Sequence, residues 1–83
     1  MYELEKLPNI GKKLAKNFYE AGITTPEQLK NLDPKEAFLK LREINPDSCL
    51  LSCYAIVGAI EDIRWHDLPK EKKDEMKKFF MAL

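Results

Sequence analysis

Residues 49–60 read CLLSCYAIVGAI, an apolar run that is interrupted by Ser52 and closed by Glu61. Apolar residues occupy nearly every side of a helix drawn through this run, and a helix that is apolar all round is a buried one. The run is well short of the roughly 20 residues that are needed to cross a bilayer. We therefore predict a buried central helix at about Ser48–Trp65, capped by Asp47 or Ser48.

The size and charge of the chain limit its function. Its 83 residues predict one domain spanning residues 1–83, and a hydrophobic content of 45% excludes a disordered chain. Lys plus Arg and Asp plus Glu number 14 each, which argues against a polybasic surface but leaves room for a local basic patch. Because no signal peptide opens the chain, we expect a cytoplasmic domain with reduced thiols and no membrane contact.

Helical patterns lie on both sides of the central run, and no segment shows convincing strand alternation. Gly22 favours a left-handed helix stop, Thr25 with Gln28 matches a capping box, and Asp33 before Pro34 is a further N-cap. We therefore predict an all-α fold of five helices after an N-terminal turn. The predicted segments are Glu3–Leu7, Lys12–Ala21, Pro26–Leu32, Lys35–Ile44, the central helix and Lys70–Leu83.

The chain contains an internal repeat. LPNIGKKLAK at 7–16 aligns without gaps with LKNLDPKEAF at 29–38, so that Leu7 matches Leu29 and Ala15 matches Ala37. Each segment has the pattern of a helix end, a tight hairpin and a helix start. We expect two helix-hairpin-helix-like units that stack face to face around the central helix.

The first hairpin is the best candidate for a binding site, because it resembles the helix-hairpin-helix DNA-binding motif. In that motif a glycine lets the backbone approach a phosphate, and the N–H groups of the following helix bind it. Asn9 stands where the motif prefers its first glycine, Ile10 is expected to anchor the hairpin in the core, and Asp33 in the second hairpin would repel a phosphate. The predicted nucleic-acid-binding residues are Asn9, Gly11, Lys12, Lys13 and Lys16.

The last helix carries an apolar stripe at i, i+3, i+4, i+7 spacing, formed by Met76, Phe79, Phe80 and Leu83. We favour the interpretation that this stripe closes the core. The alternative is a partner-binding seam for a second copy or for a partner helix.

Other chemistry-bearing residues predict no enzyme, metal site or cofactor. Cys49 and Cys53 lie at i, i+4 spacing and are expected to be buried free thiols, since two sulfur ligands alone do not complete a zinc site. No nucleophile or second carboxylate is marked as a partner for His66. Trp65 is expected to pack the central helix against the last one rather than to stack on a base.

Taken together, the chain resembles the C-terminal domain of the TfoX/Sxy family. The matching residues are Leu7, Asn9, Ile10 and Gly11; Gly22, Ile23, Thr25 and Glu27–Leu29; Tyr54–Ala59; and Trp65, Leu68 and Pro69. The resemblance implies a link to transcription of DNA-uptake competence genes, where full-length members act together with the cyclic-AMP receptor protein. Those members also carry an N-terminal α/β domain that has no counterpart in these 83 residues.

The sequence thus leads to two functional expectations. The first is a regulatory accessory domain that binds the backbone of duplex DNA through the first hairpin without reading its sequence. The alternative is a protein–protein interaction module with no nucleic-acid contact. DNA binding predicts lysines free of acids, whereas a protein module would more readily pair them with Glu3, Glu5 or Glu20.

Overall fold

A computed structural model describes residues 2–83, and these residues contain five α-helices and no strand, which confirms the all-α prediction. Two short 3-10 turns, Glu3–Lys6 and Trp65–Asp67, precede the first and the last helix. No helix in the described range is long and apolar enough to span a membrane. The helices are α1 (Lys12–Glu20), α2 (Pro26–Lys30), α3 (Pro34–Ile44), α4 (Leu50–Glu61) and α5 (Lys70–Met81).

The three helix-boundary signals that the sequence predicted are present. Gly22 adopts a φ of 88° after α1, a left-handed conformation that glycine reaches without steric cost. The Thr25 hydroxyl accepts a hydrogen bond from the Gln28 N–H, and the Gln28 side chain accepts one from the Thr25 N–H in return. An Asp33 carboxylate oxygen accepts a hydrogen bond from the Lys35 N–H at 2.8 Å. These contacts fix where α1 ends and where α2 and α3 begin.

The central helix α4 is shorter than predicted at both ends. Neither Asp47 nor Ser48 caps it; Cys49 occupies the N-cap position and makes no side-chain capping bond. At the other end Asp62 takes a left-handed conformation with φ 63°, which stops the helix before Trp65. An aspartate reaches that region more readily than most residues, so it can end a helix without glycine.

The middle of α4 is buried, as predicted, and it contacts α2, α3, α5 and the second 3-10 turn. The buried residues are Cys53 and Ala55–Ala59. The first turn of the helix departs from the prediction, because Leu51 is 54% exposed and faces an open groove. Although α4 is apolar on nearly every side, only the turns that contact neighbouring elements are buried.

The two hairpin units pair through equivalent elements. The first 3-10 turn contacts α2, and α1 contacts α3, so each part of the first unit meets its counterpart in the second. Ala15 and Ala37, which match in the repeat, are both fully buried. Small side chains at these two positions suit a close approach of α1 and α3. The two units therefore pair with each other as predicted, and α2 and α3 of the second unit contact α4.

Helix α5 closes the core by packing against α3 and α4. Met76 is buried, and Phe79 and Phe80 pack edge-on against Phe38 with ring centroids 6.2 and 5.9 Å away. Leu83, beyond the end of α5, is 53% exposed. Three of the four stripe residues thus pack on the core, and a partner-binding role for the stripe stays a prediction.

Candidate anion-binding site

The first hairpin places its apolar and polar residues on opposite sides. Ile10 is buried in the core and anchors the hairpin, as predicted, while Gly11 and Lys12 directly after it are exposed. Asn9 adopts a φ of 70°, the left-handed conformation that the turn requires. Asparagine is among the few side-chain-bearing residues that reach this region readily, so the hairpin forms without the first glycine of the motif.

The Asn9 side chain acts as a clamp between the hairpin and the segment that follows α4. Its Nδ2 donates to the Ile63 carbonyl at 2.9 Å, with a longer contact to the Ala55 carbonyl at 3.5 Å. Its Oδ1 accepts a hydrogen bond from the Trp65 N–H at 3.0 Å. Both ends of the amide are therefore engaged within the protein, which assigns the predicted ligand residue Asn9 a structural role.

Gly58 makes room for this clamp. A Cβ atom at Gly58 would collide with Asn9 Nδ2, would lie 2.6 Å from the Ile63 carbonyl oxygen and would come within 3.3 Å of the Trp65 nitrogen. Atoms separated by such short distances repel strongly, and two of these neighbours are backbone atoms. The clamp therefore requires glycine at this position of α4.

Helix α1 begins without a side-chain cap. Gly11 occupies the N-cap position, and the first turn contains Lys12 and Lys13 but no acidic residue. Two lysines at this end oppose the helix macrodipole, which favours negative charge near the first N–H groups. The starts of α2 and α3 differ, because Thr25 and Asp33 cap them and an acid follows in each first turn. The start of α1 is thus suited to an external anion.

An open groove of about 730 Å³ lies beside this helix start. Its walls come from the start of α1, the α3–α4 connection, the first turns of α4 and the second 3-10 turn. Lys12 and Lys13 line it, and the Lys16 side chain is exposed but lies outside it. The lining residues are Asn9, Gly11–Leu14, Asn17, Asn45, Asp47–Cys49, Leu51, Ser52, Ala55 and Arg64–His66.

The charge in the groove is predominantly positive. Lys12, Lys13 and Arg64 line it, against the single carboxylate of Asp47. Within residues 2–83 the two ion pairs, Lys35 with Glu75 and Lys72 with Glu61, involve none of the groove cations. The hairpin lysines likewise form no pair there with Glu3, Glu5 or Glu20.

Arg64 and His66 are groove residues that no sequence motif marks. Both residues are exposed and line the same groove as the hairpin lysines Lys12 and Lys13. Arg64 is an isolated arginine that lies more than fifty positions along the chain from the hairpin lysines, so no local pattern links it to them. Only the fold brings the two segments together.

The two cysteines differ, which corrects the prediction that both are buried. Cys53 is buried, but Cys49 is exposed in the groove at the start of α4. Partial burial tends to raise the pKa of the Cys49 thiol, but the N–H groups of Ser52 and Leu51 favour the thiolate and the net result is a lowered pKa. Burial, with the nearby Cys49, raises the pKa of Cys53 to about 12.

We expect this difference to appear as selective thiol labelling. In the folded protein Ellman's reagent should react quickly with Cys49 and only on unfolding with Cys53, because the thiolate is the nucleophile. The rate at Cys49 should rise with pH and reach half its maximum below the ordinary thiol pKa of 9.0. Cys49→Ser should remove the fast phase, and two thiols reacting at one rate would contradict the assignment.

No cluster of three His, Cys, Asp or Glu side chains within residues 2–83 is arranged to hold a metal ion. The polar residues that line the groove supply cationic, amide and hydroxyl groups, together with the Asp47 carboxylate and the Cys49 thiol. This set suits a phosphate-bearing or carboxylate-bearing partner.

Comparisons with known proteins agree with this fold. The chain is similar to an uncharacterized protein from Listeria monocytogenes in a triclinic crystal form, with 47% identity, a TM-score of 0.93, and coverage of 95% of this chain and 90% of that one. It is also similar to a Listeria monocytogenes protein of unknown function in a tetragonal form, with 46% identity, a TM-score of 0.90, and coverage of 94% and 96%. No curated protein matches.

The match to a family model covers nearly the whole chain. The model of the TfoX C-terminal domain matches residues 1–80, a range that contains the hairpin, the Asn9 clamp and all five helix starts. The chain belongs to the TfoX C-terminal domain family.

Proposed function

We propose that this protein is a non-enzymatic regulatory domain that binds the backbone of duplex DNA through its first hairpin, without reading the base sequence. The observation that carries the proposal is the uncapped start of α1, where exposed Lys12 and Lys13 lie beside a groove and have no carboxylate partner within residues 2–83. A helix start of this kind binds phosphate through its N–H groups, its dipole and the added positive charge.

The surroundings of Gly11 support the same proposal. Its φ of −90° and ψ of −178° are accessible to any residue, so the turn itself does not require glycine. A Cβ added at Gly11 would meet no protein atom within 4 Å. The space beside this backbone is therefore open to a ligand, and the absence of a side chain permits close approach of a phosphate.

The proposal predicts salt-sensitive DNA binding that depends on the hairpin lysines. A labelled duplex of about 25 base pairs, or two to three helical turns, should bind saturably in a fluorescence anisotropy titration. The logarithm of the association constant should fall against the logarithm of salt concentration with a slope corresponding to about two to four phosphates. Lys12→Glu/Lys13→Glu should abolish binding, because both cations become anions beside the helix start.

A matched variant tests whether position matters rather than total charge. Lys77→Glu/Lys78→Glu changes the charge by the same amount on the exposed side of α5, outside the groove. We expect this variant to retain most of the affinity. Equal losses of DNA affinity in the two variants would mean that binding depends on the total charge of the protein and not on the hairpin lysines. No binding to the folded wild-type protein at low salt would reject the proposal and favour the protein-interaction alternative.

A further inference from the structure

We infer that Arg64 forms a second wall of the DNA-binding groove and that Asn9 is the positioning residue that holds it beside the hairpin. The inference rests on the proposed function, and it extends the contact from one helix start to two segments of the chain. The ligand chemistry is the same, namely phosphodiester groups of a duplex. Neither residue belongs to the lysine cluster on which the proposed function depends.

The Asn9 clamp fixes Arg64 from both sides. The amide binds the carbonyl of Ile63 and the N–H of Trp65, and these two residues flank Arg64 in the chain. Asn9 also lies only two positions before Gly11, at the N-cap of α1. One side chain therefore ties the backbone of Arg64 to the backbone that presents the hairpin N–H groups.

The conformation of the segment itself supports a fixed position. The Arg64 carbonyl accepts a hydrogen bond from the Asp67 N–H at 2.9 Å, which closes the second 3-10 turn. Leu68, directly after this turn, is buried and anchors it in the core. Arg64 thus projects from a short, anchored segment, so less conformational entropy is lost when it binds a phosphate.

The charge of Arg64 is available to a ligand. Its side chain is exposed, it lines the groove, and it forms no ion pair within residues 2–83. A guanidinium group presents several N–H donors in a plane, which matches the oxygen atoms of a phosphate. Together with Lys12 and Lys13 it gives the groove cations on two walls.

The aromatic residue next to Arg64 favours duplex backbone over unpaired bases as the ligand. The half-buried Trp65 ring already stacks on His66 at 4.0 Å and on Tyr54 at 6.0 Å between centroids. Lys73 Nζ lies 5.5 Å from the same ring. Binding of single strands relies on aromatic faces that are open to bases. This wall therefore offers charge rather than a stacking surface.

The test compares salt slopes for the labelled duplex in the wild type and in Arg64→Gln. Loss of one phosphate contact should reduce the slope by about one unit. Lys77→Gln is the control, since it also removes one positive charge from an exposed position but lies outside the groove. Its slope should equal that of the wild type. Arg64 is exposed, so the substitution should leave the fold intact, which far-ultraviolet circular dichroism checks.

The role of Asn9 is tested by a double-mutant cycle. Asn9→Gly keeps a residue that tolerates the left-handed conformation but removes the clamp, so Arg64 loses its fixed position while Lys12 and Lys13 remain. The salt slope should fall in Asn9→Gly, and adding Arg64→Gln should lower it no further. Additive effects would mean that Asn9 acts on stability alone and would overturn its positioning role.

The possible results separate the inference from the proposed function. Binding that requires Lys12 and Lys13, with Arg64→Gln indistinguishable from Lys77→Gln, would overturn the inference and leave the proposed function in place. Stronger binding of a single strand than of the duplex would overturn the ligand assignment. Absence of all binding would reject the proposed function, and the second wall with it.

Discussion

Replacing Gly58 with alanine is expected to lower the free energy of unfolding by about 3 kcal/mol, at the upper end of the range for overpacked cores. The added Cβ would collide with the Asn9 amide and would lie 2.6 Å from the Ile63 carbonyl oxygen. Neither neighbour can move freely, because they are hydrogen-bonded to each other. The destabilisation is expected even though alanine in a helix interior usually gains about 1 kcal/mol over glycine.

Urea denaturation followed by circular dichroism measures this effect, and Gly11→Ala is the matched control. The same substitution at Gly11 meets no atom within 4 Å and should lower the free energy of unfolding by less than about 1 kcal/mol, since alanine is only a poorer N-cap than glycine. Unchanged slopes of the unfolding transitions would show that the substitutions change stability and not the surface exposed on unfolding. Equal stability of the two variants would contradict the close contact at Gly58.

Replacing Asn9 with alanine is expected to destabilise the protein to a similar extent, for two separable reasons. Alanine would have to adopt the left-handed φ of 70°, at a cost of roughly 1–2 kcal/mol. The carbonyl of Ile63 and the N–H of Trp65 would also lose their partner, and leaving such groups unsatisfied costs about 1–3 kcal/mol. The total is about 3 kcal/mol.

Asn9→Gly separates the two contributions in the same denaturation experiment. Glycine accepts the left-handed conformation, so this variant loses only the hydrogen bonds and should fall between wild type and Asn9→Ala. A variant as stable as wild type would mean that the clamp adds nothing to stability. A variant as unstable as Asn9→Ala would mean that the backbone conformation is not strained.

The features that the sequence predicted correctly are local. The capping box of Thr25 and Gln28 and the cap at Asp33 depend on hydrogen bonds between residues two or three positions apart. Burial of the middle of α4 follows from apolar residues on nearly every side of the helix, and burial of Ile10 follows from its place in the hairpin motif. The unequal exposure of the two cysteines was not predicted. The pattern of apolar residues shows that a helix is apolar, but it does not show which of its turns are buried by neighbouring elements.

The candidate site divides in the same way. The all-α fold, the repeated hairpin and the lysines at the start of α1 were predictable from the amino-acid sequence, because they depend on the chemistry of neighbouring residues. The clamp role of Asn9 was not predictable in this way, since its partners Ile63 and Trp65 lie 54 and 56 positions away and meet it only in the folded chain. The packing of the helices also determines that Gly58 must lack a side chain and that Arg64 lines the same groove as Lys12. Contacts between such distant segments depend on how whole helices pack, and no local pattern of residues encodes them.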